Sequence, residues 1–222
     1  MKFAKKSLGQ NFLTDKNIIK KIINLIEIKD RNVIEIGPGE GALTEEILKK
    51  KPKSISIIEK DFDLFKKLKI KYSKNKIIKI YNADILKFDI QTLDKKNSAI
   101  FGNLPYNISS QILVKILKFD RWPPKFNDLI LMFQKELGDK ILGRFQSSHY
   151  GRLSILSNYR LSMIGKFLVS PNCFFPKPKV NSLVIHFQPK KDLFDIKRIE
   201  SLEKVTNILF SNKRKMINKN IK

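Results

Sequence analysis

Short apolar runs alternate with stretches of helical periodicity along most of the chain. Isoleucines recur at helical spacing after Thr14-Asp15, a pair that can cap the amino end of a helix. Further on, the pattern predicts strands at 33–36, 54–59, 77–81, 98–102, 128–133, 163–169 and 181–188, and helices at 42–50, 62–72, 109–118, 135–144, 151–159 and 196–210. Such alternation is typical of a doubly wound, mostly parallel sheet, so the predicted fold class is α/β. The last two strands lie close together in sequence and are expected to pair antiparallel.

A glycine-rich turn follows the first of these strands. Glycine occupies positions 37, 39 and 41, and this G-x-G-x-G spacing differs from the G-x-G-x-x-G dinucleotide fingerprint. Glycine permits unusual backbone angles and lets a ligand approach the main chain closely. We therefore expect Gly37 and Gly39 to contact a nucleoside cofactor, although spacing alone leaves NAD possible.

Acidic residues come at the ends of the next two predicted strands. Glu59 lies about 20 residues after the glycine turn, where an acidic side chain binds ribose hydroxyls in nucleotide-binding folds. Asp84 follows the third strand, where it could bond an adenine amino group or instead cap a helix. Together with the glycine turn, these positions predict a nucleoside-binding cleft at the carboxyl edge of the sheet.

The fourth predicted strand is followed by the tetrapeptide Asn103-Leu104-Pro105-Tyr106. A carboxamide oxygen can accept a hydrogen bond from an exocyclic –NH2 group, proline fixes the local backbone, and a tyrosine face can stack on a base. This combination suits holding a flat base while a methyl group is passed to it, which NAD chemistry would not require. The alternative is an ordinary strand-to-helix turn, in which Asn and Pro are common.

Several segments, in this order, resemble a known family. They are Lys6-Ser7-Leu8-Gly9-Gln10-Asn11-Phe12-Leu13, Glu35 to Gly41, Ile58-Glu59-Lys60-Asp61, Asn82-Ala83-Asp84, Phe101 to Ser109, Phe133-Gln134-Lys135-Glu136, Tyr150 to Ser154, and Phe174 to Ser182. The chain resembles the S-adenosylmethionine-dependent ribosomal RNA adenine N6-dimethyltransferases of the small subunit, from residue 6 to about 188. Leucine at 104 is similar to the small-subunit enzymes, whereas the related methylases of the large subunit usually carry isoleucine there. The resemblance implies a Rossmann-like class I methyltransferase with a seven-stranded sheet and one antiparallel late strand.

The resemblance also implies roles for individual residues in methyl transfer. The Asn103 side-chain oxygen and the Leu104 carbonyl would accept hydrogen bonds from the adenine amine, which makes its nitrogen more nucleophilic. Pro105 would fix this turn, and Tyr106 and Phe174 would sandwich the flipped-out adenine. No dedicated general base is needed, because the amine proton becomes acidic once the methyl group has arrived.

By resemblance, the amino-terminal segment would contact the cofactor as well. The full set of expected S-adenosylmethionine contacts is Asn11, Leu13, Gly37, Gly39, Glu59, Asp84 and Asn103. Alternative roles remain open for the amino-terminal segment and for the two phenylalanines at 174 and 175. The segment around Asn11 could be a turn that caps the following helix, and Phe174 and Phe175 could be core residues.

Charge indicates the class of partner. The chain carries 45 lysines and arginines against 21 acids, a net charge of +24, which would attract phosphate backbones. A solvated lysine surface would account for part of this excess. The basic clusters are not backed by an amphipathic anchor rich in aromatic residues, so RNA is favoured over a membrane.

Residue usage sets further expectations. Cys173 is the only cysteine, which suits a reducing cytosol, and we expect a cytoplasmic monomer. His149 and His186 lie far apart without cysteine partners, so no metal site is expected. No apolar stretch approaches the length of a membrane span.

Two domains are predicted. Residues 1–190 would form the methyltransferase domain, and 191–222 the start of a small helical domain that docks RNA. Members of the family continue for several more helices beyond the position of Lys222, so the chain is either truncated or a shortened version. Alternative functions are a non-catalytic RNA-binding assembly factor, a large-subunit RNA methylase and a DNA adenine methylase. The sequence does not decide between one and two methyl groups.

Overall fold

The computed structural model describes Lys5, residues 8–191 and residues 199–210. Its strands are β1 (Phe12–Leu13), β2 (Asn32–Ile36), β3 (Ser54–Glu59), β4 (Ile78–Asn82), β5 (Ser98–Asn103), β6 (Phe126–Gln134), β7 (Leu161–Val169), β8 (Phe174–Phe175) and β9 (Ser182–Pro189). Its helices are α1 (Lys16–Ile23), α2 (Ala42–Lys49), α3 (Phe62–Lys71), α4 (Ser109–Leu117), α5 (Lys135–Ile141), α6 (Arg152–Arg160) and α7 (Ile199–Phe210), with 3₁₀ turns at Ile90–Leu93 and Pro171–Cys173.

Seven of the described strands form one sheet in the order β4-β3-β2-β5-β6-β9-β7. All neighbouring pairs from β4 to β6 are parallel, whereas β9 runs antiparallel to both β6 and β7. The predicted α/β class, the mostly parallel seven-stranded sheet and the antiparallel late strand are therefore confirmed. The chain order reverses between β2 and β5, and ligands bind at such a switch point, outside the carboxyl ends of the strands.

The central strands are apolar because helices cover both faces of the sheet. Val33 and Ile34 are neighbours in β2, but Val33 packs into a cluster with α1 and α2, and Ile34 into one with α4. Successive side chains of a strand point to opposite faces, so a strand covered on both faces becomes a continuous apolar run. The core therefore consists of two layers, one on each side of the sheet.

Aspartates begin two of the helices that flank the sheet. The Asp15 side chain accepts hydrogen bonds from the backbone N–H groups of Asn17 and Ile18, which confirms the predicted cap of α1. Asp61 accepts in the same way from Asp63 and Leu64 at the start of α3. These caps fix the points at which the chain leaves the carboxyl edge of the sheet.

A two-residue antiparallel ribbon, β1 with β8, was not predicted from the sequence. Phe12 lies opposite Phe175, and Leu13 lies opposite Phe174. The Thr14 N–H extends the pairing by donating to the Cys173 carbonyl at 2.8 Å. The β1–β8 ribbon thus ties the amino-terminal segment to the chain that leads into β9.

A buried ionic cluster lies near the amino ends of β5 and β6, at the edge away from the switch point. The two carboxylate oxygens of Asp128 contact His186 Nε2 at 2.7 Å and an Arg31 guanidinium nitrogen at 2.8 Å. Burial alone would raise the Asp128 pKa, but hydrogen bonds from His186, Gln188 and Arg31 outweigh it and lower the pKa to about 2. This carboxylate therefore stays charged throughout the physiological range.

Some predicted bounds differ from the structure. The helix predicted to reach 144 ends at Ile141, and the strand predicted from 163 begins at Leu161. Positions 196–198 of the predicted last helix lie outside the described residues. Ile199 in α7 is buried in the same core cluster that α4 joins, so the described part of α7 packs on the main domain. The predicted domain boundary at 190 stays a prediction. No described helix is both long enough and apolar enough to cross a bilayer.

Candidate functional site

A cavity of about 370 Å³ opens at the carboxyl ends of β2, β3 and β5. Its lining includes residues 8–14, the glycine turn after β2, residues 58–60, Ala83, Ile85, and the loop from Asn103 to Ile108. The volume is within the range of small-molecule sites. Nearly all the predicted site residues therefore meet in one place, with two exceptions described below.

The glycine turn adopts the backbone conformation that its composition indicated. Gly37 and Gly39 have φ angles of +65° and +61°, in the left-handed region. A Cβ added to Gly39 would lie 2.7 Å from Cδ1 of Phe12. The turn therefore leaves its backbone open to the cavity and has no room for a side chain at Gly39.

Glu59 is the last residue of β3 and lines the same cavity. One carboxylate oxygen accepts the Gly39 N–H at 3.2 Å, and the other accepts the Asp61 N–H at 2.8 Å. Burial raises the pKa of this carboxyl group, while the backbone N–H groups of Asp61 and Gly39 oppose the shift. Each oxygen keeps a second lone pair, so Glu59 can still accept hydrogen bonds from ribose hydroxyls.

Glu35 is a site residue to which the sequence analysis gave no role. It lies in β2 and is only 1% exposed, and Oε2 accepts the Thr44 hydroxyl at 2.6 Å. Oε1 is buried with no hydrogen-bond partner among the described residues. Burial raises the Glu35 pKa to about 7, the Thr44 hydroxyl opposes this, and the charge of Glu59 adds to it. The signal in the sequence was a lone acid within the apolar run of β2.

The amino-terminal segment is fastened over the cavity through Asp61. Gln10 Nε2 donates to one carboxylate oxygen at 2.9 Å, and Lys5 Nζ donates to the other at 3.0 Å. Burial acts to raise the Asp61 pKa, but these two hydrogen bonds, together with those from the backbone N–H groups of Asp63 and Leu64, outweigh it and the pKa is lowered. Asn11 and Leu13 both line the cavity in this arrangement. Their predicted cofactor contacts stay predictions that this placement supports.

Asn103, the last residue of β5, has a fixed amide orientation. Its Nδ2 donates to the Asn11 carbonyl at 3.0 Å. Because a carbonyl can only accept, the amide nitrogen must face it, and the other amide atom, Oδ1, is left as an acceptor. Asn103 lines the cavity, and no donor in the described part of the chain bonds Oδ1. The amide therefore offers the cavity the acceptor that binding an exocyclic amine requires.

The next three residues complete this side of the cavity. The Leu104 side chain is buried, and Pro105 turns the chain, its carbonyl accepting the Ile108 N–H at 3.2 Å. The Tyr106 hydroxyl lies 2.5 Å from the Ser182 hydroxyl, and either oxygen can donate. Burial raises the Tyr106 pKa, while the Ser182 hydrogen bond opposes this. The hydroxyl contact anchors one end of a ring that lines the cavity.

Phe174 is the first exception among the predicted site residues. It is 4% exposed, packs in the core cluster that contains Leu13, and is not among the residues that line the cavity. Its neighbour Phe175 is 57% exposed, so the core alternative is wrong for Phe175 and describes Phe174 in this structure. The predicted sandwich of adenine by Tyr106 and Phe174 stays a prediction and would require Phe174 to move.

Asp84 is the second exception. Ala83 and Ile85 line the cavity, but Asp84 is not among the lining residues. Its carboxylate pairs with Lys60 Nζ at 2.8 Å and accepts the Leu86 N–H at 2.9 Å, and the Lys60 hydrogen bond is the main cause of its lowered pKa. The alternative considered for Asp84 was a helix cap; the structure shows that Asp84 caps a turn at 85–87 instead, and its contact with adenine stays a prediction.

No group of three or more His, Cys, Asp or Glu side chains in the described part of the chain is arranged to hold a metal ion.

Comparison with known proteins places the chain among RNA methylases. The family model of the ribosomal RNA adenine dimethylases matches residues 1–222. The ribosomal RNA small subunit methyltransferase A of Pelagibacter ubique is 48% identical over 97% of this chain and 82% of its own length. The protein of the same name from Malacoplasma penetrans is 44% identical over 99% of this chain and 78% of its own length.

Solved structures give the same picture. A dimethyladenosine transferase from Plasmodium falciparum superposes with a TM-score of 0.75, 28% identity, and coverage of 95% of this chain and 74% of that one. The 23S rRNA methyltransferase ErmE gives a TM-score of 0.73, 26% identity, and coverage of 95% and 83%. The resemblance noted in the sequence is therefore confirmed.

Proposed function

We propose that this chain, which belongs to the ribosomal RNA adenine dimethylase family, methylates the N6 amine of adenosines in small-subunit ribosomal RNA. The single observation that carries this proposal is the orientation of Asn103. Its nitrogen is occupied by the Asn11 carbonyl, so its oxygen is left to receive an amine in the cavity. The two curated relatives, both named as small-subunit methyltransferases, support the choice of substrate.

The cavity fits S-adenosylmethionine as the methyl donor. When bound, this cofactor supplies an electrophilic methyl group on a positively charged sulfur. The glycine turn lets a ligand lie against the backbone of Gly37 and Gly39 in this cavity. Glu59, at the end of β3, would accept hydrogen bonds from ribose hydroxyls. Asp84 would reach an adenine amine only by sharing a carboxylate that already pairs with Lys60.

Asn103 and Leu104 act on the methyl acceptor. Asn103 Oδ1 and the Leu104 carbonyl oxygen would accept the two amine protons and so favour the pyramidal, nucleophilic form of the nitrogen. No donor in the described part of the chain bonds the Leu104 carbonyl, so it is available for this contact. The same two oxygens stabilise the positive charge that develops on nitrogen during transfer, and they need no reorganisation to do so. The proton that becomes acidic afterwards is released without a dedicated base.

Tyr106 would stack on the extruded adenine. Removing a base from its stack costs a few kcal/mol, and contact with an aromatic ring returns part of this energy. The hydroxyl contact with Ser182 holds the ring at its far end, so the ring face is preorganised for stacking. Phe174 would supply the opposite face only after leaving its buried position.

The net charge of +24 supports a large polyanionic substrate. We expect the chain to act as a cytoplasmic monomer on the small-subunit RNA. A non-catalytic assembly factor would not need the free acceptor at Asn103 or the open glycine turn, so neither feature favours that alternative.

The test is mass spectrometry of adenosines in small-subunit RNA after incubation with the protein and S-adenosylmethionine. We expect N6-methylated adenosine, and the same measurement separates one added methyl group from two. Parallel reactions with large-subunit RNA and with DNA test the other methylase activities. RNA binding without any methylated adenosine would indicate the assembly-factor alternative and contradict the proposal.

A further inference from the structure

Phe175 is an exposed aromatic side chain on the β1–β8 ribbon, whose residues Phe12 and Leu13 line the cavity. It is 57% exposed, although its neighbour Phe174 is buried. Residues directly opposite in an antiparallel pair project to the same face, so Phe175 lies beside its partner Phe12. Phe12 lines the cavity and its ring reaches Gly39. The β1–β8 ribbon therefore holds Phe175 on the same face as Phe12, outside the lining of the cavity and largely open to solvent.

The chain continues from Phe175 as a basic segment. Lys177 and Lys179 are exposed and alternate with prolines, and residues 174–181 contain no acid. No carboxylate among the described residues forms an ion pair with either lysine. The segment ends at Ser182, whose hydroxyl contacts Tyr106. Phe175, Lys177 and Lys179, here called the rim patch, thus belong to a segment that starts opposite Phe12 and leads to the residue in contact with Tyr106, the ring expected to stack on adenine.

We propose that the rim patch binds the RNA nucleotide next to the methylated adenosine, with its base stacked on Phe175 and its phosphates near Lys177 and Lys179. This inference rests on the proposed function. Extruding the adenine also removes a stacking partner from the neighbouring base, and an aromatic face just outside the cavity replaces that partner. Phenylalanine has no hydrogen-bonding group, so the contact tolerates any base at this position. The lysines lie on a segment whose prolines restrict its backbone, which lowers the entropic cost of binding a phosphate.

The stacking contact is tested with naked small-subunit RNA that carries 2-aminopurine beside the adenosine mapped by mass spectrometry. Phe175→Ala and Phe175→Leu should each weaken RNA binding by roughly tenfold and abolish the stacking-dependent change in fluorescence. Phe175→Trp should restore both signals, because it keeps an aromatic face. The affinity for S-adenosylmethionine and the thermal midpoint should stay at the wild-type values, because the side chain is largely exposed.

Phe62 provides a matched control for Phe175. It is 53% exposed and has Lys66 4.3 Å from the centre of its ring, but it lies on α3. Phe62→Ala should leave RNA affinity and the 2-aminopurine signal unchanged. If Phe62→Ala weakened RNA binding as much as Phe175→Ala does, any exposed ring on a basic surface would be enough for RNA binding, and the proposal would be overturned.

Two further outcomes would also overturn it. If Phe175→Leu binds RNA as the wild type does, apolar area is enough and no stacking occurs. If Phe175→Ala affects only binding to assembled subunits and not binding to naked RNA, the partner is a protein.

Removing each lysine should reduce the slope of log affinity against log salt by about 0.7, as for a contact with single-stranded phosphate. Binding is measured without catalysis, so a wild-type protein that binds RNA but does not methylate it refutes the proposed function. The effect of Phe175→Ala and Phe175→Trp on RNA affinity then judges the rim patch separately.

Discussion

Asn103→Ala is the most direct test of how the site works. The substitution removes Oδ1, the acceptor proposed to hold the adenine amine, and also the hydrogen bond from Nδ2 to the Asn11 carbonyl. One preorganised group aimed at developing charge is worth about 10²–10³ in kcat. The lost internal hydrogen bond is worth only about 1 kcal/mol, or roughly 2–4 °C in Tm for a domain of this size. We therefore expect kcat to fall much further than the stability.

The assay measures three quantities on the same preparation. Single-turnover methylation of small-subunit RNA gives the rate of transfer, calorimetric titration gives the affinity for S-adenosylmethionine, and a thermal melt gives the stability. We expect the rate to fall by about 10²–10³ while the cofactor affinity changes by no more than a few fold. The glycine turn and Glu59 remain in place in this variant, so they still form the cofactor side of the cavity.

Asn32→Ala is the control for loss of an amide hydrogen bond. Asn32 begins β2 at the opposite edge of the sheet, its Nδ2 donates to the Lys96 carbonyl at 3.3 Å, and its Oδ1 accepts the Ser54 hydroxyl at 2.8 Å. Asn32→Ala should lower the thermal midpoint at least as much as Asn103→Ala does and leave the rate per folded molecule unchanged. If the two variants lose rate and cofactor affinity in equal proportion, Asn103 is a structural residue and the proposed mechanism is wrong.

Three further predictions test the cavity and its support. Gly39→Ala forces an alanine into the left-handed region and puts its Cβ 2.7 Å from the Phe12 ring. We expect the free energy of unfolding in urea to fall by roughly 1–2 kcal/mol and cofactor binding, measured by calorimetry, to weaken at least tenfold. Glu35 has a folded pKa of about 7, above its unfolded value, so its contribution to stability is present below about pH 4.5 and is lost as pH rises through 7. The unfolding free energy of the wild-type apoprotein should therefore fall between pH 5 and 8, and Glu35→Gln should make this fall smaller by roughly 3 kcal/mol. A fall of the same size in both proteins would contradict the raised pKa. Asp128→Ala leaves Arg31 and His186 buried without their carboxylate and should cost about 3–5 kcal/mol by chemical denaturation, while the rate per folded molecule stays normal.

The sequence predicted the sheet well because its strands are buried on both faces. Continuous apolar runs mark β2, β3, β5 and β6, and in the structure each lies within about two residues of its predicted bounds. The β1–β8 ribbon could not be predicted in the same way. Two residues are too few to show an alternating pattern, and the partners are brought together only by the tertiary fold. The ribbon nevertheless determines which of Phe174 and Phe175 is exposed.

Glu35 shows a different limit of sequence analysis. A single acid in an apolar strand is visible in the sequence, but its effect depends on how many polar partners it has once buried. The structure gives one partner, Thr44, and leaves one oxygen unpaired, so burial raises the pKa with only Thr44 to oppose it. Partner counts of this kind depend on tertiary packing, which the pattern of apolar and polar positions does not contain.

The three acidic or amide residues predicted at strand ends differ in outcome for a geometric reason. Glu59 and Asn103 are the last residues of β3 and β5, so ladder pairing still fixes the direction of their side chains, and both line the cavity. Asp84 comes two residues after the end of β4, where no ladder constrains the backbone. There the Leu86 N–H and the Lys60 ammonium set the direction of the carboxylate, away from the cavity lining. Of these three residues, the two that are the final paired residues of their strands line the cavity, and the one placed further on does not. One placed further on needs a ligand that can compete with its local hydrogen bonds.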